Sequence, residues 1–104
     1  MEDNLMLVFT DPVSGLEAEF NDWYTNIHIP EIVKMTGMRG ARRYRIGDGP
    51  RGGALTNQYL AVYDLGDNPQ EALRKLDVIA SSGQLTQSDA VDRSGLSRGT
   101  FYPV

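Results

Sequence analysis

Apolar positions in the first quarter of the chain predict a strand followed by an amphipathic helix. Residues 5–10 are almost all apolar and predict a buried strand, which ends at an Asp-Pro pair. Ser14 and Glu17 have the spacing of a capping box, so the helix is predicted to start near Gly15. Its apolar stripe has members three or four positions apart: Leu16, Phe20, Trp23, Tyr24 and Ile27.

Pro30 lies inside this helical pattern and predicts an interruption. Proline has no amide hydrogen and cannot donate to the carbonyl of Asn26, so the helix is predicted to kink or restart there. Beyond the proline, the apolar face continues to Gly37, which is typical of a helix C-terminal cap.

The rest of the chain predicts two strands, a helix and a final strand. Asn68 is a capping residue directly before Pro69, which suits the first position of a helix. The predicted elements are a strand at 38–46, a hairpin loop at 47–53, a strand at 57–65, a helix ending near Gly83, a polar loop at 84–94 and a strand at 96–104.

This order predicts one α+β domain over residues 1–104, with the ferredoxin-like arrangement β-α-β-β-α-β and a four-stranded antiparallel sheet. One helix layer covers only one sheet face. The first and third strands nevertheless have apolar side chains on both faces: Leu5, Leu7 and Phe9 against Met6 and Val8, and Tyr59 and Tyr63 against Leu60 and Val62. A bare apolar face is rare on a monomer, so we expect a homodimer that closes this face.

The composition and charge of the chain exclude several classes of binding partner. The chain has 104 residues with a formal net charge of −4, which argues against nucleic acid or an anionic membrane as partner. No apolar run approaches the roughly 18–20 residues of a membrane span, and the acidic segment 1–4 is unlike a signal peptide. The absence of cysteine excludes a disulfide framework and a zinc-thiolate site. With a single histidine and no cysteine, a metal site is not expected. We expect a cytoplasmic location.

The basic residues are unevenly distributed. Five of the ten Lys and Arg residues fall between Arg39 and Arg51. Such a local positive patch on an acidic protein suits a small anionic ligand, although a solvated strand face is the more common explanation.

Residues 20–31 carry the most distinctive chemistry, including the sole histidine and the sole tryptophan. Phe20, Tyr24 and His28 are four positions apart and share a helix face. His28 is a candidate general acid or base, because its ordinary pKa lies near neutrality. In the alternative interpretation, His28 bonds the interrupted helix turn and only shapes the bend.

Two carboxylates are close to His28 in sequence. Glu31 follows it by three positions and Asp22 precedes it by six. Either is predicted to raise the pKa of the imidazole and to fix its tautomer.

The run Phe-x-x-Trp-Tyr-x-x-x-His-x-Pro-Glu, followed by a glycine and the strand at 40–45, resembles the dimeric α/β-barrel superfamily, and in particular its EthD-like branch. The resemblance implies a ferredoxin-like homodimer whose two sheets close into a barrel, with a pocket between sheet and helices in each subunit. It also implies a mostly cofactor-free enzyme class. His28 matches the candidate acid/base position, with Trp23, Tyr24, Pro30 and Glu31 framing it.

The strands offer further polar candidates. Arg43 and Arg45 share one face of the second strand, and a guanidinium that pointed inward would hold a carboxylate or enolate. Solvated surface arginines are the simpler alternative. Tyr59 and Tyr63 offer phenol hydrogen bonds to a ligand oxygen, or fill the core.

The expected function is therefore a cofactor-free lyase, isomerase or cyclase that transfers a proton on a small apolar or aromatic carbonyl compound. Two alternatives are a non-catalytic small-molecule-binding or accessory protein and a cofactor-free monooxygenase. His28 is the predicted catalytic residue. The predicted substrate-binding residues are Trp23, Tyr24, Glu31, Arg43, Tyr59 and Tyr63.

Overall fold

A computed structural model describes residues 3–104, in which four antiparallel strands form one sheet in the order β2-β3-β1-β4. Met1 and Glu2, the start of the acidic N-terminal segment, lie outside the described residues. The strands are β1 (Leu5–Pro12), β2 (Gly40–Arg45), β3 (Tyr59–Asp64) and β4 (Val91–Phe101). The helices are α1 (Glu17–Trp23), a π-helical turn (Tyr24–His28), α2 (Ile29–Thr36) and α3 (Pro69–Ser82). This is the predicted ferredoxin-like α+β order.

The helices cover one face of the sheet, called here the inner face. Met6 of β1 lies opposite Tyr63 of β3, and Thr10 lies opposite Tyr59; all four side chains are buried. Directly opposed residues of antiparallel strands point to the same side. The alternation predicted for the third strand is thus confirmed.

The outer face of the sheet is also apolar. Leu5, Leu7 and Phe9 of β1 lie beside Leu60 and Val62 of β3, and all are half-buried. The two-faced pattern read from the sequence is therefore present in the sheet.

The two predicted helix starts have different outcomes. The Asn68 side chain accepts a hydrogen bond from the Glu71 amide, as predicted for a cap, and Pro69 is the first helical residue. The capping box at Ser14 is wrong. The Leu16 amide donates to the carbonyl of Val13, so a turn occupies this stretch and α1 begins at Glu17 without a side-chain cap.

The last strand begins earlier than predicted. Residues 91–94 were expected in a loop, but Val91 pairs with Pro12 and Asp92 with Asp11 of β1. Main-chain pairing with β1 sets this boundary, and the polar side chains there give no alternating pattern to reveal it. Within residues 3–104, no helix combines the length and apolar character needed to cross a membrane.

Candidate functional site

Pro30 widens the helix into a π-helical turn. The Ile29 amide donates to the carbonyl of Tyr24, five residues back, while the backbone on both sides of the turn keeps right-handed helical angles. Proline removes one amide donor at this point, and the helix accommodates the loss by a longer hydrogen-bond step. The predicted interruption therefore takes the form of a π turn within a continuous helix, and π turns are frequent at functional sites.

The π turn places Trp23 against His28. In an α-helix of 3.6 residues per turn, residues five apart point about 140° away from each other. Here the two rings are stacked, with centroids 4.4 Å apart and planes 23° apart. Tyr24 meets the same imidazole edge-on, at 5.0 Å. His28 is thus held between two aromatic rings.

These residues line a pocket of about 190 Å³ between the helices and the inner face of the sheet. Trp23, Tyr24 and His28 contribute from the helix side, and Tyr63 contributes from β3. The Nδ1 atom of His28 is buried and has no hydrogen-bond partner among residues 3–104. An unsatisfied buried polar atom costs about 1–3 kcal/mol, and the hydrogen-bonding capacity of this nitrogen is not used by any of the described residues. The alternative role of His28, bonding the interrupted turn, is not fulfilled through Nδ1.

Burial controls the charge of His28. It lowers the pKa of the imidazole to about 4, an effect that the charge of Arg93 reinforces. The Glu31 carboxylate raises the pKa of His28, as predicted, but by less than burial lowers it. Asp22 instead accepts a hydrogen bond from Asn26, at 2.8 Å. The predicted net increase in the pKa of His28 is therefore wrong, and the imidazole is neutral at pH 7.

Three residues with hydroxyl groups line the pocket and are buried, two on strands and one on the π-helical turn. Thr10, Tyr24 and Tyr63 are at most 3% exposed, and all three line it. Burial raises the pKa of Tyr24, although the Tyr63 hydroxyl and the Arg43 charge partly oppose this. Burial also raises the pKa of Tyr63. Both phenols therefore stay protonated at neutral pH and can donate hydrogen bonds to an oxygen in the pocket.

Arg43 points to the inner face but does not line the pocket. Its Cζ atom lies 4.7 Å from the centre of the Tyr24 ring, and its guanidinium donates to Asn21 Oδ1 (2.8 Å) and Thr25 Oγ1 (3.0 Å). The Tyr59 hydroxyl accepts a hydrogen bond from Asn21 Nδ2 at 3.2 Å. Arg43 and Tyr59 thus form a separate cluster behind Tyr24 and support that wall of the pocket.

Glu31 connects α2 to the loop between α3 and β4. Its carboxylate accepts hydrogen bonds from the Thr86 amide (2.9 Å) and the Thr86 hydroxyl (2.6 Å), and these bonds lower the pKa of Glu31. The Trp23 indole donates a hydrogen bond to the main-chain carbonyl of Thr86, at 3.2 Å. Glu31 therefore anchors this loop beside the pocket, and its side chain is not among those that line it.

Two arginines at the pocket were not predicted from the sequence. Arg93 and Arg98 of β4 both line it with exposed side chains. Their position depends on how β4 pairs with β1, for which the polar stretch before Leu96 carries no pattern. Among residues 3–104, no group of three or more His, Cys, Asp or Glu side chains is arranged to hold a metal ion.

The chain was compared with protein families, curated proteins and solved structures. No protein-family model and no curated protein matches the chain. Among solved structures, a crystal structure at 1.40 Å of an EthD family protein from Bacillus halodurans is similar, with 20% sequence identity and a TM-score of 0.42. The match covers 95% of this chain and 97% of that one.

Proposed function

We propose that the protein is a cofactor-independent enzyme that transfers a proton on a small aromatic or apolar carbonyl compound, with His28 as the base. The observation that carries this proposal is that His28, whose buried Nδ1 has no hydrogen-bond partner among residues 3–104, lines a pocket that also contains buried hydroxyl groups. A neutral imidazole is the form that accepts a proton, and burial keeps His28 neutral at pH 7.

The size of the pocket limits the substrate. Its volume of about 190 Å³ is below the roughly 300–1,000 Å³ of pockets for drug-sized ligands. An apolar cavity of about 150 Å³ accepts benzene. One substituted ring, stacked among aromatic side chains such as Trp23, therefore fits this pocket.

The hydroxyl groups and the imidazole of the pocket stabilise opposite charges that develop during proton transfer. The Tyr24 and Tyr63 hydroxyls donate to the substrate carbonyl oxygen, where negative charge accumulates as a proton leaves the adjacent carbon. The imidazolium formed on His28 and the neighbouring enolate stabilise each other, because opposite charges at close range favour both charged forms. This mutual stabilisation offsets the low basicity of His28 in the empty pocket.

Hydrogen–deuterium exchange tests this function. Phenylacetone, a one-ring ketone, is incubated with the protein in D₂O, and loss of its benzylic proton signal is followed by NMR. We expect exchange above the buffer rate, reduced about 100-fold or more in His28→Gln. Fluorescence of Trp23, the sole tryptophan, reports binding separately. Binding without exchange in the wild type would contradict catalysis and leave a binding protein, the second candidate.

The partner that fits the outer face of the sheet is a second copy of this chain. Besides its half-buried apolar side chains, this face has a shallow depression of about 660 Å³, lined in part by Arg42, Tyr44 and Val62. Pairing of two such faces would close a barrel and cover these side chains. Light scattering after size-exclusion chromatography is expected to give twice the 11.5 kDa chain mass at micromolar concentration. The mass of a single chain would contradict the dimer.

A further inference from the structure

An irregularity in β4 lies beside the pocket. Phe9 pairs with Ser97, and Asp11 pairs with Asp92. The two pairs are therefore two residues apart along β1 but five residues apart along β4. In a regular antiparallel ladder the two counts are equal. The extra residues form a bulge at 93–96, and bulges bend a strand and redirect its side chains.

Hydrogen bonds hold this bulge in place. Asn57 Nδ2 donates to the carbonyl of Gly95 (2.9 Å) and to Asp11 Oδ2 (2.8 Å). The Ser94 amide donates to Asp92 Oδ1 at 3.0 Å. The bulge is therefore tied both to β1 and to the chain that leads into β3.

The bulge directs two arginines to one place. Residues five apart on a regular strand point to opposite faces, yet Arg93 and Arg98 both line the pocket. Arg98 lies opposite Val8, whose side chain is buried on the inner face. Arg93 is close enough to His28 for its charge to act on the imidazole.

No acidic side chain among residues 3–104 forms an ion pair with either arginine. The ion pairs within residues 3–104 are Arg39–Asp67 and Arg74–Glu71. Arg93 donates only to Gln87 Oε1 (3.1 Å) and, at longer range, to a main-chain carbonyl. Asp77 lines the adjoining groove with Arg98 but forms no ion pair with it. Two unpaired positive charges thus stand at the opening of a largely apolar pocket.

We propose that Arg93 and Arg98 bind the carboxylate of a small aromatic acid whose ring occupies the pocket beside Trp23 and His28. This inference rests on the proposed function, because it assigns a substrate class to the same pocket. A guanidinium offers planar paired donors that match a carboxylate, and such charge-assisted bonds are stronger than neutral ones. The carboxylate would lie at the exposed opening, and the ring would extend inward to the aromatic walls.

A matched pair of ligands isolates the charge. Phenylacetate and phenylacetamide have the same ring and nearly the same shape, and only the first is anionic. Both are titrated into the wild type, Arg93→Gln, Arg98→Gln and the double variant, with Trp23 fluorescence as the readout. Arg51→Gln is the control, since Arg51 is exposed in the loop between β2 and β3, lines neither the pocket nor the outer-face depression, and its substitution removes the same charge.

The wild type is expected to bind phenylacetate about tenfold or more tighter than phenylacetamide. The double variant is expected to bind the two ligands equally, with unchanged affinity for the amide, which also shows that the pocket is still folded. Arg51→Gln should retain the preference. Equal binding by the wild type, a preference kept by the double variant, or an equal loss in Arg51→Gln would each overturn the arginine site. Binding of neither ligand would overturn the proposed pocket as well.

Discussion

Acidification from pH 7 to pH 4 is expected to reduce the free energy of unfolding of the wild type by about 3 kcal/mol more than that of His28→Gln. The folded-state pKa of His28 is about 4, against an ordinary value of 6.5 in the unfolded chain. Between pH 6.5 and pH 4 the His28 imidazole is protonated in the unfolded chain but mostly neutral in the native protein. Because the unfolded state binds more protons, lowering the pH shifts the equilibrium toward unfolding. This contribution to stability is complete above pH 6.5 and is lost as the pH falls to about 4.

Urea denaturation at pH 7, 6, 5 and 4, at one fixed protein concentration, measures this effect. Carboxylates such as Glu31 titrate in both proteins, so the difference between the two curves isolates His28. The glutamine keeps polar groups and a similar size without titrating in this range. Parallel curves for the wild type and His28→Gln would mean that the imidazole is not buried in the native protein.

Phe20→Ala is expected to lower the free energy of unfolding by about 3–5 kcal/mol. Phe20 is 0% exposed and packs against the rings of Tyr24 (5.5 Å) and Tyr59 (5.2 Å), with Arg43 on its face (5.3 Å). Its removal leaves a cavity beneath the wall that supports the pocket. A loss of this size is a large part of the roughly 5–15 kcal/mol that stabilises a typical domain.

Chemical denaturation of Phe20→Ala and a control variant tests this value. Tyr102→Ala removes an aromatic ring that is 48% exposed, and it is expected to cost less than about 1 kcal/mol. Similar losses in both variants would contradict the central position of Phe20. We also expect Phe20→Ala to weaken ligand binding, because Tyr24 loses its neighbour on the side away from the pocket.

The sequence predicted those features that depend on neighbours in the chain. The alternation of β3 places Tyr63 on the inner face, and Gly37 ends α2 with a positive φ of 74° because glycine adopts this conformation easily. The Asn68 cap is equally local. Ser14 matched a local motif too, but a turn at Val13 displaced the helix start. A motif of this kind therefore predicts the helix more reliably than its first residue.

The site was predicted only in part, because its geometry depends on two departures from regular structure. The π turn brings Trp23 over His28, a contact that α-helical spacing excludes. The bulge in β4 directs Arg93 to the pocket, and its register is set by pairing with β1. Arg43 and Glu31 were expected at the ligand, but both have protein partners that position the walls instead.

The central claim is that the imidazole of His28 forms part of a buried pocket wall and is neutral at neutral pH. His28 is the sole histidine, so its ring signals in a ¹H–¹⁵N spectrum need no assignment by mutation. A pH titration followed by these signals is expected to have its midpoint near pH 4. A midpoint at or above the ordinary value of about 6.5 would place the ring in water and contradict the proposed site.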